Sequence, residues 1–176
     1  MTIEQTTNRA AAIGAVEEAN AAIGASLSTG EPQTANRALL SAVQTALADV
    51  AAVLDGRQDL VMVVDQHRHD LERALTLRTH GRHLPAPTRR SLAARHSLAA
   101  GLLRLARTVT QRAARSVEAT DSDGTATLTD YLTALPPLLD LLAAELDDAE
   151  ERSVPVGSCI ELATSRAASA PSSQAG

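Results

Sequence analysis

The chain has 176 residues, a net charge of −5, one cysteine, one tyrosine and neither tryptophan nor phenylalanine. That length suits one domain, the charge makes the whole molecule a poor generic binder of nucleic acid, and one thiol excludes a disulfide framework and a multi-cysteine metal site. Sheet cores lean on aromatic and β-branched residues, so the thirty-five alanines point instead to helices closed by Leu, Val, Ile and Ala.

The first helix is expected over Ile3 to Ser26. Thr2 and Gln5 have the spacing of a capping box, and Ile13, Val16, Asn20, Ile23 and Leu27 step by three and four as a packing seam. Asn20 on that seam either fixes register or lies at its edge. Gly14 and Gly24 weaken the helix relative to alanine. After a turn at Ser28-Thr29-Gly30, Glu31-Pro32 opens a second helix. Its stripe is Leu40, Val43, Leu47, Val50 and Leu54, and Gly56 is its stop.

A third helix is expected from Gln58 to Thr79, joined to the second by a connection short enough for an antiparallel hairpin. Leu60, Val61, Val64, Leu71 and Leu75 form its apolar face. His80 to Thr88, with Gly81, Pro85 and Pro87, is a loop. The fourth helix starts at Pro87 or Thr88 and reaches Ala119, with Leu92, Ala99, Leu103, Ala106, Val109, Ala113 and Val117 as its seam. Asp121 to Gly124 turns the chain. The fifth helix covers Thr125 to Arg152, with Leu128, Leu132, Leu135, Leu139, Leu142 and Leu146 facing inward. Pro136-Pro137 falls mid-helix, where a kink or break is expected. The Ser-, Ala- and Pro-rich remainder, with Cys159 in it as an idle thiol, reads as a flexible tail.

Charge is sorted along the chain. Between His67 and Arg115 lie eleven arginines against Asp70 and Glu72 alone; between Val117 and Glu151 lie ten acidic residues and no basic one. A short turn joins the fourth and fifth helices, so Arg89, Arg90 and Arg95 should sit near Glu145 to Glu151. The hairpin then either neutralises itself or leaves a basic face of Arg73, Arg82, Arg104 and Arg112 for phosphates. No aromatic residue stands nearby to stack bases. All sixteen basic residues are arginine, from coding bias or from a need for bidentate anion contacts.

His67-Arg68-His69-Asp70 and His80-Gly81-Arg82-His83 have the look of ligand clusters. The other helices supply no matching Glu-x-x-His, and the interleaved arginines repel a cation. Arg90 to His96, and Arg78 to His83, place an Arg and a His a few residues apart. Over these few residues the chain resembles small helical ribonucleases of the HEPN class. The resemblance implies that Arg holds a scissile phosphate while His moves a proton. No Ser-His-Asp set, phosphate loop or nucleotide fingerprint is present.

The expected fold is all-α: an antiparallel bundle of four to five helices over residues 1–152 and a flexible tail over 153–176. The expected function is a non-catalytic helical interaction or assembly module that self-associates through exposed seam remnants on the first two helices. The alternative is a small helical protein acting on RNA or DNA, by HEPN-like cleavage or basic-face binding. No catalytic, cofactor-binding or metal-ligating residue is assigned, and no cofactor. The expected partner is a second copy or another helical protein, with nucleic acid not favoured. No window holds eighteen uninterrupted apolar residues and the N-terminus has no basic-then-apolar pattern, so no membrane span and a cytoplasmic location are expected.

Overall fold

The computed structural model describes residues 3–80, 97–120 and 124–153. Within them the chain forms α1 (Ile3–Ser28), α2 (Thr34–Leu54), a 3-10 turn (Gln58–Leu60), α3 (Val61–Thr79), α4 (Leu98–Glu118) and α5 (Thr125–Ser153). The expectation of an all-α bundle holds, with no strand among the described residues. The expected loop after His80, the first turn of the fourth helix with Arg89, Arg90 and Arg95, and the tail with Cys159 lie outside the described residues. So does the Thr2–Gln5 cap.

Each helix packs on two neighbours, in the order α2, α1, α4, α5, α3 and back to α2. Cross-helix contacts give the directions. Ser26 Oγ donates to the Ala99 carbonyl at 3.2 Å and Asn8 Nδ2 to the Ala119 carbonyl at 3.5 Å, so α1 and α4 are antiparallel. By the same reasoning α4 and α5 are antiparallel, through Arg104 with Asp147 and Arg107 with Asp140. The pair α3 and α5 is parallel, tied at one end by Gly124 against Val61 and at the other by Arg78 on Glu145. A ring of five cannot alternate throughout, and this pair takes the odd place.

The stripes expected on α2 and α5 are buried in full: Leu40, Val43, Leu47, Val50 and Leu54 on one, Leu128 to Leu146 on the other. On length and hydropathy α2 alone among the described helices would suffice to cross a membrane, but its stripe faces the bundle core. On α1 the buried line is Ala12, Ala15, Val16, Ala19, Ala22, Ile23 and Ser26, and the expected Ile13, Asn20 and Leu27 flank it half-exposed. This small-residue face meets Ala99, Ala100, Leu103, Ala106 and Ala113 of α4. Alanine on alanine lets two backbones come close and gain dispersion contact over their whole length. Asn20 stands at the margin: its backbone carbonyl accepts from Gln44 Nε2 at 3.3 Å, and its side-chain oxygen is buried without a partner.

Two glycines set the chain's corners. Gly56 follows α2 at φ 110°, and Gly124 precedes α5 at φ 83°, where an added Cβ would lie 2.9 Å from Val61 Cγ2. Both positions exclude an L side chain on backbone grounds. Gly14 is different, since nothing lies within 4 Å of the place its Cβ would take. Gly14→Ala should therefore stabilise by about 0.5–1 kcal/mol and raise Tm by roughly 2–3 °C, as a thermal melt would read; an unchanged Tm would show α1 frayed there.

Pro136 and Pro137 lie inside one continuous α5, so the break admitted as one outcome does not occur. Packing on α3 and α4 together holds the helix through two lost backbone donors. Two polar clusters lock one end of the bundle, where α2 and α4 begin and α3 and the C-terminal part of α5 end. Arg78 donates to Glu145 at 2.9 Å and to Asn36 at 2.9 Å, and Asn36 donates to Glu145 at 3.2 Å, which joins α2, α3 and α5. At the start of α4, Ser97 caps Ala100 N at 3.0 Å, its hydroxyl bonds Glu31, and its N–H donates to buried Asp147 at 3.3 Å.

Candidate functional site

The charge segregation resolves mostly into pairs between neighbouring helices. Arg104 pairs with Asp147 and Arg107 with Asp140 across α4 and α5, while Arg112 reaches the other way to Glu18 on α1. The residues of the alternative basic face, Arg73, Arg82, Arg104 and Arg112, are not brought together among the described residues. Arg104 and Arg112 point to different helices and are each held by a carboxylate, and Arg82 lies outside the described residues. The histidines scatter as well. His67 Nε2 lies 2.9 Å from Asp49 Oδ2 on α2, His69 Nδ1 lies 2.8 Å from the Asp65 carbonyl on its own helix, and His80 is exposed at the end of α3. Among the described residues no three His, Cys, Asp or Glu side chains gather as a metal site. His83 and His96 lie outside the described residues.

The cavity that gathers unspent chemistry is a groove of about 600 Å³ between α4 and α5. Arg107, Gln111, Arg115 and Glu118 line one wall, on residues one helical turn apart. Thr129, Leu132, Thr133, Pro136, Pro137 and Asp140 line the other. Arg107 forms an ion pair with Asp140, Nε to Oδ2 at 2.7 Å, and its buried Nε makes no hydrogen bond among the described residues. Arg115 is exposed and makes no ion pair among the described residues. It also borders a smaller hollow of about 250 Å³ on the α1 side, with Asn8, Arg112 and Ser116. Thr129 Oγ1 is buried with no hydrogen-bond partner among the described residues.

The groove thus holds two guanidiniums two turns apart, Arg107 paired with Asp140 and Arg115 without an ion pair among the described residues, together with the carboxylate of Glu118. The groove is half-desolvated, because Leu132 is fully buried in the opposite wall and Pro136 beside it is buried too. Such a wall strengthens charge interactions over those in open water. Planar guanidiniums suit phosphate oxygens, which they can grip bidentately. Sequence reasoning passed over Arg107, Gln111, Arg115, Thr129 and Thr133. The signal available was the i, i+4, i+8 spacing of the first three, opposite a double proline on the antiparallel partner.

A family model described as cobalamin adenosyltransferase matches residues 2–146 of the chain. No curated protein matches it. The family match overturns the expected non-catalytic assembly module, and with it the alternative of a nucleic-acid-acting protein. The reading that nothing in the chain serves a reaction falls with it, and the α4–α5 groove, whose walls come from two separate helices, is one place that reading did not consider.

Proposed function

The chain belongs to the cobalamin adenosyltransferase family, and on that footing we propose that it moves an adenosyl group onto the cobalt of a cobalamin, holding the donor's anionic end in the α4–α5 groove. Joining cobalt to the adenosyl 5′ carbon requires a leaving group on that carbon and an electron-rich metal. A nucleoside triphosphate offers the first, as triphosphate. A corrinoid supplied in its cobalt(I) state offers the second, as substrate. The cobalt electron pair attacks C5′, the cobalt–carbon bond forms while the C5′–O bond breaks, and that bond's electron pair departs with triphosphate. Cobalt ends formally oxidised by two electrons, so no further oxidant is needed.

The carrying observation is Arg115, a guanidinium with no ion-pair partner among the described residues, beside Arg107 in a groove within the matched segment. Arg107 would meet the negative charge that grows on the departing triphosphate, and Arg115 would hold the tail in line. The remaining donors of Gln111 and the hydroxyl of Thr133 fit the sugar or phosphate oxygens of such a donor.

The same reading places the protein in the cytoplasm, where a reduced corrinoid is at home, and makes it an oligomer. The large apolar side chains exposed among the described residues are Met62, Val63 and Leu77 on α3 and Leu98 and Leu105 on α4. These side chains offer faces of α3 and α4 for that assembly, beside the α1 and α2 surface first expected. The decisive assay mixes the full chain anaerobically with ATP and a corrinoid pre-reduced to cobalt(I). A light-sensitive adenosyl product with stoichiometric triphosphate supports the proposal; reduced corrinoid surviving alongside intact ATP would overturn it.

A further inference from the structure

Leu98 and Leu105 are the large apolar side chains that α4 leaves exposed, at 66% and 51%, and they stand two turns apart on one face. Half-buried Leu102 lies beside them. Gly101 between them is exposed, with nothing within 4 Å of the place its Cβ would take, so the face carries an open notch. Apolar area of this kind gains free energy when it leaves water.

The chain carries a segment that matches this face. Beyond α5, Val154, Val156, Ile160 and Leu162 stand at even positions with Ser158 among them, and Pro155, Gly157, Cys159 and Glu161 stand between. Successive side chains of an extended strand alternate sides, so this stretch, when extended, has one aliphatic edge and puts Cys159 and Glu161 on the other. Pro155 disfavours helix at itself and at Val154, and α5 ends at Ser153. The starting point also suits. The Ser97 N–H and the Arg104 guanidinium both meet Asp147 on antiparallel α5. Ser153 therefore lies about 9 Å past the start of α4 along the bundle and one helix spacing of about 8–10 Å to the side. About four extended residues cover that gap. Residues 158–162 then remain for the Leu98–Leu105 line, which is roughly 10 Å long.

We propose that residues 154–162 fold back over α4 and seat Ile160 and Leu162 on Leu98, Leu102 and Leu105. The α4 face is then closed within each chain, which leaves α3, with Met62, Val63 and Leu77, as the described helix whose large apolar side chains stay exposed for assembly. Cys159 faces away from the seat.

Cys159 is the chain's single thiol, so a nitroxide can be attached there in the full-length protein without any substitution. In a nitrogen-15-labelled sample the amide signals of residues 98–105 should broaden more strongly than those at the start of α2, which lies at the same end of the bundle. The Ile160→Ser/Leu162→Ser chain, altered only beyond the bundle, should lose about tenfold of that relaxation enhancement, because its two aliphatic side chains no longer leave water. A labelled chain without nitroxide, equilibrated with an unlabelled chain that carries it, should keep these signals sharp. Broadening as strong in the mixed sample would give the face to a second copy and overturn the fold-back. So would broadening at residues 98–105 no greater than at the start of α2, or equal in the wild type and the variant.

Discussion

Arg107→Ala should lower kcat/KM for adenosyl transfer by about 100-fold, the usual cost of deleting one preorganised donor to developing charge. Most of that loss should appear in kcat. The triphosphate becomes more negative as the C5′–O bond breaks, so a guanidinium beside it binds the transition state better than the ground state. Arg107 is placed for this role because its Nε is buried and the wall opposite is apolar Leu132 and Pro136. Arg115→Ala should behave differently, since Arg115 is exposed. Its loss should raise KM by roughly tenfold, with kcat little changed and with a smaller effect at high salt. Arg107→Lys should fail to restore the wild-type rate, because a point charge cannot reproduce a planar fork. Arg73→Ala, on the exposed face of α3, is the control and should leave both constants alone. Equal small losses from Arg107, Arg115 and Arg73 would mean only that net positive charge had been reduced.

How far the fold could be read from residues depends on what each helix buries. Leucine and valine at heptad spacing marked the inward faces of α2 and α5 without ambiguity, because a large aliphatic side chain has few other places to go. On α1 the same rule pointed one step aside. Alanine adds little area to either side of a helix, so a close-packed alanine line such as Ala12, Ala15, Ala19 and Ala22 carries no hydropathy signal against neighbouring alanines in solvent. The direction of the arginines was equally hidden. Arg104 and Arg112 lie two turns apart on one helix, yet one meets α5 and the other α1. Only the crossing of three helices decides that.

The groove was legible in one particular and opaque in the rest. Pro136-Pro137 was marked as a local anomaly, with a kink or break as its consequence, whereas α5 runs on through both prolines and they line the groove. Arg107 and Arg115 were read as members of a charge run, which they are. What sets Arg115 apart is the pairing of its neighbours: Arg104, Arg107 and Arg112 are taken up by carboxylates, and Arg115, between two hollows, has no ion pair among the described residues. A residue's freedom is a property of the assembled bundle, not of its spacing.

Tyr131 should limit the protein's tolerance of alkali. It is the chain's single aromatic residue, 1% exposed in the core of α5, and its hydroxyl has no hydrogen-bond partner. Burial, and secondarily the Asp49 carboxylate, push its phenol well above the ordinary tyrosine range. The unfolded chain loses that proton near pH ~10, whereas the folded chain keeps it. The stability this contributes is therefore complete below about pH 10 and declines as pH climbs toward the folded value, by about 1.4 kcal/mol per pH unit. The composition makes the measurement clean: with no lysine, all sixteen basic side chains are arginine and remain charged throughout. Absorbance at the phenolate band should stay flat past pH ~10 and then rise together with loss of helical circular dichroism. Tyr131→Phe should abolish that limb and, by removing a buried hydroxyl that bonds nothing, leave stability at neutral pH unchanged or higher by about 1 kcal/mol. A phenolate signal titrating near pH ~10 in a chain that keeps its helicity would mean the ring is hydrated, and the packing of α5 against α3 and α4 would need redrawing.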